Sequence, residues 1–148
     1  MTTASTTRSQ SDSAATSVSK KTLWAGRVIS ALPILLLTFS AVMKFATPSL
    51  PVEMQVEMSK QMAALGWPMD LLLALGIVEL ACVVIYAIPR TAVLGAILIT
   101  AYLGGATATH VRIGDPYFIP IIVGVLVWLG LLLREPRLRA ILPLRANP

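Results

Sequence analysis

Four long apolar segments dominate the hydrophobic pattern of the chain. Residues 28–43 carry no charge over 16 positions, and residues 71–88 carry one charge, Glu79, over 18 positions. Residues 91–109 and 116–133 add 19 and 18 uncharged positions. Each segment approaches the ~20 residues that a helix needs to cross the hydrocarbon core of a bilayer. None alternates like a barrel strand, so the pattern predicts an all-α chain with four transmembrane helices.

The connections between these segments favour a four-helix bundle. Only Pro89 and Arg90 separate the second and third segments, so a tight hairpin forces those two helices to be antiparallel neighbours. Residues 110–115 link the third segment to the fourth. The longer link between the first two segments has apolar positions that predict a short amphipathic helix on the membrane surface: Val52, Val56, Met58 and Met62.

The beginning of the chain differs in composition from the rest. Twelve of residues 1–22 are Ser or Thr and none is aromatic, so little apolar burial offsets the entropy of ordering them. We predict a disordered tail over residues 1–22, a membrane domain over 23–143 and a short basic end over 144–148. The first segment is interpreted as an uncleaved span, because Lys44 stands where signal-peptide cleavage requires a small residue.

Composition excludes the other broad classes of protein. Apolar residues make up 56% of the chain and charged residues 13%, and the mean hydropathy is +0.79. A soluble domain carries roughly twice that charged fraction, and a disordered chain has far fewer apolar residues. The net charge of +5 does not indicate nucleic acid as a partner, because the basic residues flank the apolar segments instead of forming one patch.

The placement of the basic residues predicts an orientation. If both termini lie on the side of the Arg90 hairpin, that side holds nine Lys and Arg residues and the other side holds three. Such a bias predicts that both termini are cytoplasmic. The three on the opposite side are Lys44, Lys60 and Arg112.

The third segment carries small residues at every fourth position: Ala92, Ala96, Thr100, Gly104 and Ala108. Small residues at this spacing let helices approach closely inside a membrane. We interpret this small-residue stripe as packing inside the bundle, and a seam between two copies of the chain is the alternative. On the first interpretation, Gly104→Leu is expected to overpack the bundle and destabilise it.

Glu79 is the strongest candidate for a functional residue. An ionisable group within a membrane span is energetically costly, so its presence there suggests a function. The hairpin places Thr100 at a similar depth on the next helix, which makes Thr100 its nearest predicted partner. Tyr86 lies on the same face as Glu79, two turns further along. The sequence leaves two roles open, a hydrogen-bonded group that holds helices together and a carboxylate that handles a proton or a ligand.

A second polar group gathers at the outer ends of the segments. His110 and Arg112 are most simply an interfacial boundary, and a site for a quinone or an anionic ligand is the alternative. The candidate lining of a polar pocket is Glu79, Lys44, Thr100, Tyr86, Tyr102, His110 and Arg112. With one Cys, one His and no nucleotide, haem or zinc-protease motif, we predict no catalytic residue, no metal site and no cofactor held by the chain alone.

Five stretches resemble the DoxX-like family of small bacterial membrane proteins: FSAVMKF at 39–45, LGIVEL at 75–80, YAIPRT at 86–91, AYLGGATATHVR at 101–112 and WLGL at 128–131. The resemblance covers roughly residues 24–143 and implies a four-helix bundle in the bacterial inner membrane. It also implies that Lys44 and Glu79 occupy the family's recurrent lysine and glutamate positions. We therefore expect these two side chains to line one polar pocket in the outer half of the bundle.

Three functions remain as hypotheses at this point. The first is an accessory or assembly subunit of a membrane complex, linked to quinone or thiol redox chemistry through a partner protein or a bound quinone. The second is a small-molecule or proton-coupled binding or transport protein that uses Glu79. The third is a structural membrane protein, and a homo-oligomer is compatible with each of them. An enzyme is disfavoured, because no catalytic motif is present.

Overall fold

The computed structural model describes residues 19–141, the last three by their backbone alone. Within this range the chain forms six α-helices, one 3₁₀ turn and no strand. In chain order these are α1 (Lys20–Ala46), the 3₁₀ turn (Thr47–Ser49), α2 (Val52–Ala64), α3 (Leu71–Ala87), α4 (Ala92–Ile113), α5 (Phe118–Arg134) and α6 (Pro136–Ile141). The predicted all-α class is confirmed.

Helices α1, α3, α4 and α5 correspond to the four apolar segments and pack as a ring. α1 contacts α3 and α5, and α4 contacts the same two helices, so α1 and α4 occupy opposite corners. The start of α1 meets the end of α5 where Gly26 lies against Arg134, and Arg134 also contacts Tyr86 near the end of α3. We call this the terminal end of the ring and the opposite one the α2 end.

The outer surface of the ring is apolar. Among the described residues, two helical segments are long and apolar enough to cross a membrane: residues 20–49 and α4. α3 and α5 are also apolar but shorter, with 17 residues each. Large apolar side chains are more than half exposed on the outside of the ring, for example Leu35 and Phe39 of α1 and Ile77 of α3. The charged Glu79 is buried. This distribution is typical of a surface that contacts lipid.

Several boundaries differ from the predictions. α1 begins at Lys20, so the last three residues of the predicted tail are helical. Residues 1–18 and 144–148 lie outside the described residues, and the predictions made for them stay predictions. α4 continues to Ile113, where the left-handed Gly114 (φ +71°) ends it, so His110 and Arg112 lie in its last turn and not in a loop.

Two short helices flank the ring. The predicted amphipathic helix is present as α2. α6 was not predicted, because residues 136–141 follow the last of the four apolar segments.

Small residues bring the helices into backbone contact at the terminal end. A Cβ atom added to Gly130 of α5 would stand 2.4 Å from Ser30 Oγ of α1. A Cβ atom added to Gly95 of α4 would stand 2.3 Å from the Tyr86 Cα atom of α3. No side chain fits at either position, so these two glycines set how closely the helices pack.

The small-residue stripe of α4 divides into two halves. Ala92 and Ala96 are buried, as internal packing requires. Thr100, Gly104 and Ala108 are exposed, and a Cβ atom at Gly104 would meet no atom within 4 Å. The interpretation of the whole stripe as internal packing is therefore wrong at Gly104, which borders open space instead of a neighbouring helix.

Candidate functional site

A buried ion pair joins α1 to α3. The Lys44 Nζ atom donates to Glu79 Oε2 over 2.8 Å, and the exposed fractions of the two side chains are 18% and 3%. The structure therefore brings Lys44 and Glu79 together, and the polar pocket that they were expected to line stays a prediction. At Gly76, one turn before Glu79, an added Cβ atom would stand 3.2 Å from Lys44 Cβ, so the missing side chain lets α1 approach α3 at this level.

Two further polar side chains complete what we call the Lys44–Glu79 cluster. Ser40, one turn before Lys44 on α1, accepts from Lys44 Nζ through its Oγ atom at 2.7 Å. The same hydroxyl donates to Glu79 Oε2 at 3.3 Å. From α4, Tyr102 lies close enough to Glu79 for the two side chains to interact electrostatically. Three helices thus converge on one carboxylate.

The partners of the cluster satisfy its charges. The ammonium group has the Glu79 carboxylate, the Ser40 hydroxyl and, at 3.5 Å, the Ser40 carbonyl as acceptors. In a medium of low polarity such a pair persists only with these extra hydrogen bonds, and removing one member leaves a buried charge at a cost of about 3–5 kcal/mol. The cluster therefore holds α1 and α3 together, and its more exposed side is Lys44.

Thr100 does not take part, contrary to the prediction. Its hydroxyl donates to the Ala96 carbonyl at 2.7 Å and accepts from Trp128 Nε1 of α5 at 2.8 Å. The predicted face of α4 was therefore wrong. Tyr102, two residues further and so on another side of α4, is the residue that meets Glu79.

Tyr86 belongs to a separate cluster at the terminal end. Its hydroxyl donates to the Val127 carbonyl at 2.8 Å and lies 3.1 Å from Ser30 Oγ. The Arg134 guanidinium group covers its ring, 4.8 Å from the ring centre. These contacts, the Tyr86 cluster, join α3 to α1 and α5 and place Tyr86 away from any pocket shared with Glu79.

His110 and Arg112 brace the α2 end instead of joining the charged cluster. His110 Nδ1 lies 3.0 Å from Asp115 Oδ2. The Arg112 guanidinium group donates to the Leu65 carbonyl in the loop that follows α2. Gly66 turns that loop with φ +74°, and a Cβ atom there would stand 2.6 Å from the guanidinium group. Arg112 thus links the last turn of α4 to Leu65, the residue that caps the end of helix α2.

An apolar groove of about 520 Å³ runs between α4 and α5. Sequence reasoning did not predict it. Its lining contains no charged residue and consists of Thr100, Leu103, Gly104, Thr107, Pro120, Ile121, Gly124, Val125, Trp128, Leu129 and Leu132. Gly104 and Gly124 provide no side chain to fill the space, which is why the groove stays open. Glu79 is not part of this lining.

Ser40 was also missed, although a signal for it existed. It stands four residues before Lys44, on the same helical face. The described residues hold no group of three His, Cys, Asp or Glu side chains that could bind a metal ion.

A ring of helices with an apolar surface and a buried ion pair defines a helical membrane protein as the class of this chain. The DoxX-like family model matches residues 28–131, which is more than half of the chain. The chain therefore belongs to the DoxX-like family, and this membership supports the assignment as a membrane protein. No curated protein and no solved structure is a significant match to the chain.

Proposed function

We propose that this protein is an accessory subunit of a complex in the bacterial inner membrane, crossing the bilayer four times with both termini in the cytoplasm. Two features support the topology. The basic residues divide nine to three between the two sides. The start of α1, the end of α3 and the end of α5 also meet at one end of the ring, as four antiparallel spans require.

Reporter fusions test the topology. A reporter fused after Arg90 and one fused after Pro148 are both expected to report a cytoplasmic location. A fusion after Lys60, in the link between the first two predicted spans, is the control and is expected to report the opposite side. A periplasmic signal from either of the first two fusions contradicts the proposal.

The observation that carries the subunit role is the open face of α4 and the groove beside it. At the terminal end, α4 packs in backbone contact with α3 at Gly95. Around Gly104, α4 instead has small residues that border open space. In lipid, small exposed residues favour contact with another helix, because backbones can then approach closely. This face is therefore where we place the contact with the rest of the complex.

Purification from native membranes in mild detergent tests this role. Wild-type protein is expected to retain a stoichiometric protein partner, whether a second copy or another chain, and Gly104→Leu is expected to lose it. Ala31→Leu is the matched control, because Ala31 is a small exposed residue on α1 at the opposite corner of the ring. If all three proteins purify as monomers, the subunit role is contradicted.

The Lys44–Glu79 cluster favours a second candidate function, the binding of a small ligand or a proton. Lys44 is the more exposed member of the ion pair, and its ammonium group is a donor that suits a carbonyl group of a quinone. The test is to measure quinone in lipid extracts of purified wild-type protein and of a Lys44→Met/Glu79→Leu double variant, which removes both charges together. Equal quinone in the two extracts contradicts this candidate.

A further inference from the structure

We propose that the terminal end of the ring binds the phosphate group of an anionic phospholipid, through the guanidinium group of Arg134 and through Arg27 of the neighbouring helix. This site is separate from the one in the proposed function, because it lies at the terminal end and not on the open face of α4. Three observations on the described residues carry it: the unpaired charges at this end, the fixed position of Arg134 and the contact that brings Arg27 beside it.

The two ends of the ring differ in how their basic residues are paired. At the α2 end each basic side chain has a partner, and these pairs are Lys44–Glu79, Lys60–Glu57, His110–Asp115 and Arg112 with the Leu65 carbonyl. Within residues 19–138, whose side chains the structure describes, no ion pair occurs at the terminal end, where the basic residues are Lys20, Lys21, Arg27, Arg90, Arg134 and Arg137. In the sequence, Asp12 and Glu135 are the acidic residues outside positions 53–115. The positive charge of this end therefore needs counter-ions from outside the chain.

Arg134 is the basic residue of this end that the structure holds in a fixed place. Its guanidinium group lies 4.8 Å from the centre of the Tyr86 ring, and its Nη2 atom donates to the Tyr86 carbonyl over a long 3.4 Å. Its Nε atom is buried without an acceptor. An aromatic ring and one neutral carbonyl thus leave the charge without a counter-ion. Because a guanidinium group binds phosphate through two N–H groups at once, the half-buried and already oriented Arg134 side chain suits a phosphate.

The close contact of α1 with α5 brings a second arginine to the same level. A Cβ atom added to Gly26 would stand 2.9 Å from the Arg134 backbone nitrogen, so the α1 backbone touches the end of α5 here. Arg27 is the next residue of α1 and is exposed. Trp24, one turn earlier, is 65% exposed, which is typical of an aromatic side chain at the level of the lipid headgroups. Both arginines therefore lie at the depth of the phospholipid phosphate groups.

An anionic phospholipid suits this place better than a soluble anion or a zwitterionic lipid. The apolar side chains of Trp24 and Val28 are more than half exposed beside Arg27, so acyl chains can pack there while the phosphate contacts the guanidinium groups. A zwitterionic lipid supplies the same phosphate, but its ammonium group is repelled by the surplus positive charge of this end.

Native mass spectrometry of the full-length protein, freed of lipid in a neutral detergent, tests the proposal. Wild-type protein is expected to retain one phosphatidylglycerol molecule per chain and to retain phosphatidylcholine much less. Arg134→Gln is expected to weaken the binding of phosphatidylglycerol about tenfold or more, because a hydrogen bond between two charged groups is lost. Lys60→Gln is the matched control at the α2 end, where Lys60 is exposed and paired with Glu57, and it is expected to bind as wild type does.

A second pair of variants separates a defined site from diffuse attraction. Arg137→Gln removes an exposed charge from the same end and is expected to weaken binding less than Arg134→Gln does. Equal effects of these two substitutions contradict the site. Because Arg134 also covers Tyr86, Arg27→Gln at an exposed position is the variant that leaves this packing intact, and it is expected to weaken binding as well. Unchanged binding in both Arg27→Gln and Arg134→Gln overturns the proposal.

Two measurements on wild-type protein need no variant to fold. Equal retention of phosphatidylglycerol and phosphatidylcholine overturns the proposal, since the net charge of the lipid then has no effect. Inorganic phosphate is added in competition with phosphatidylglycerol and is expected not to displace it. Displacement by inorganic phosphate would assign the site to a soluble anion and exclude the lipid.

Discussion

The two halves of α4 use the same spacing of small residues for different purposes. Around Gly95 and Ala96 the helix is buried, and an added Cβ atom at Gly95 would collide with the Tyr86 backbone at 2.3 Å. Around Gly104 and Gly105 the helix is exposed, and an added Cβ atom meets nothing within 4 Å. A small-residue pattern thus indicates close approach of another helix, but it does not reveal whether that helix belongs to the same chain.

The two polar clusters also differ, in the kind of interaction that joins their helices. The Tyr86 cluster at the terminal end joins its helices mainly through neutral hydrogen bonds from the Tyr86 hydroxyl. The Lys44–Glu79 cluster joins its helices through an ion pair, which is strong only while both members remain. The effects of substitutions should therefore differ between the two clusters.

Gly95→Leu is expected to have the largest effect. Its side chain would have to occupy the position of the α3 backbone, which cannot move without separating α3 from α4. We expect a loss of about 3 kcal/mol or more, seen as a strong decrease of folded protein in detergent unfolding measurements. A variant as stable as wild type would show that α3 and α4 do not pack as described.

Glu79→Ala is expected to destabilise the protein by up to about 3 kcal/mol, because it leaves the partly buried Lys44 ammonium group without its counter-ion. Glu79→Gln keeps an acceptor but not the charge, so we expect a smaller loss. The Lys44→Met/Glu79→Leu double variant should recover most of the stability, since it buries no charge. Equal instability of the double variant and Glu79→Ala would contradict this account of the ion pair.

Tyr86→Phe is expected to cost about 1–2 kcal/mol in the same unfolding measurement. The substitution removes a hydroxyl that donates to the Val127 carbonyl and contacts Ser30, while the ring remains packed. Tyr117→Phe is the matched control, because Tyr117 is half exposed at the start of α5. Similar stability of the two variants would show that the hydroxyl contacts of Tyr86 contribute nothing.

Gly104→Leu is expected to have the smallest effect on the folding of a single chain, within about 0.5 kcal/mol. The measurement requires a detergent in which the chain is monomeric, so that loss of a partner does not enter. This expectation reverses the one drawn from the sequence. A large destabilisation of the monomer would restore the interpretation of the whole stripe as internal packing.

Much of the fold followed from the sequence. The four apolar segments, the short amphipathic helix and the tight hairpin at Pro89 all correspond to elements of the structure. The meeting of Lys44 with Glu79 also followed, although through a family resemblance and not through the spacing of the residues. Missed were α6, the continuation of α4 to Ile113, and Ser40 as a member of the cluster.

The sequence by itself determined which segments are helical, how apolar they are and which two of them a tight hairpin makes neighbours. These properties depend on the order of residues along one helix and on the length of a hairpin. Only the tertiary structure decided how far each helix is rotated about its own axis. That rotation places Tyr102 instead of Thr100 beside Glu79 and leaves Gly104 exposed. The physical reason is that α4 has small residues on more than one side, so its rotation depends on the side chains of α3 and α5 and not on its own pattern.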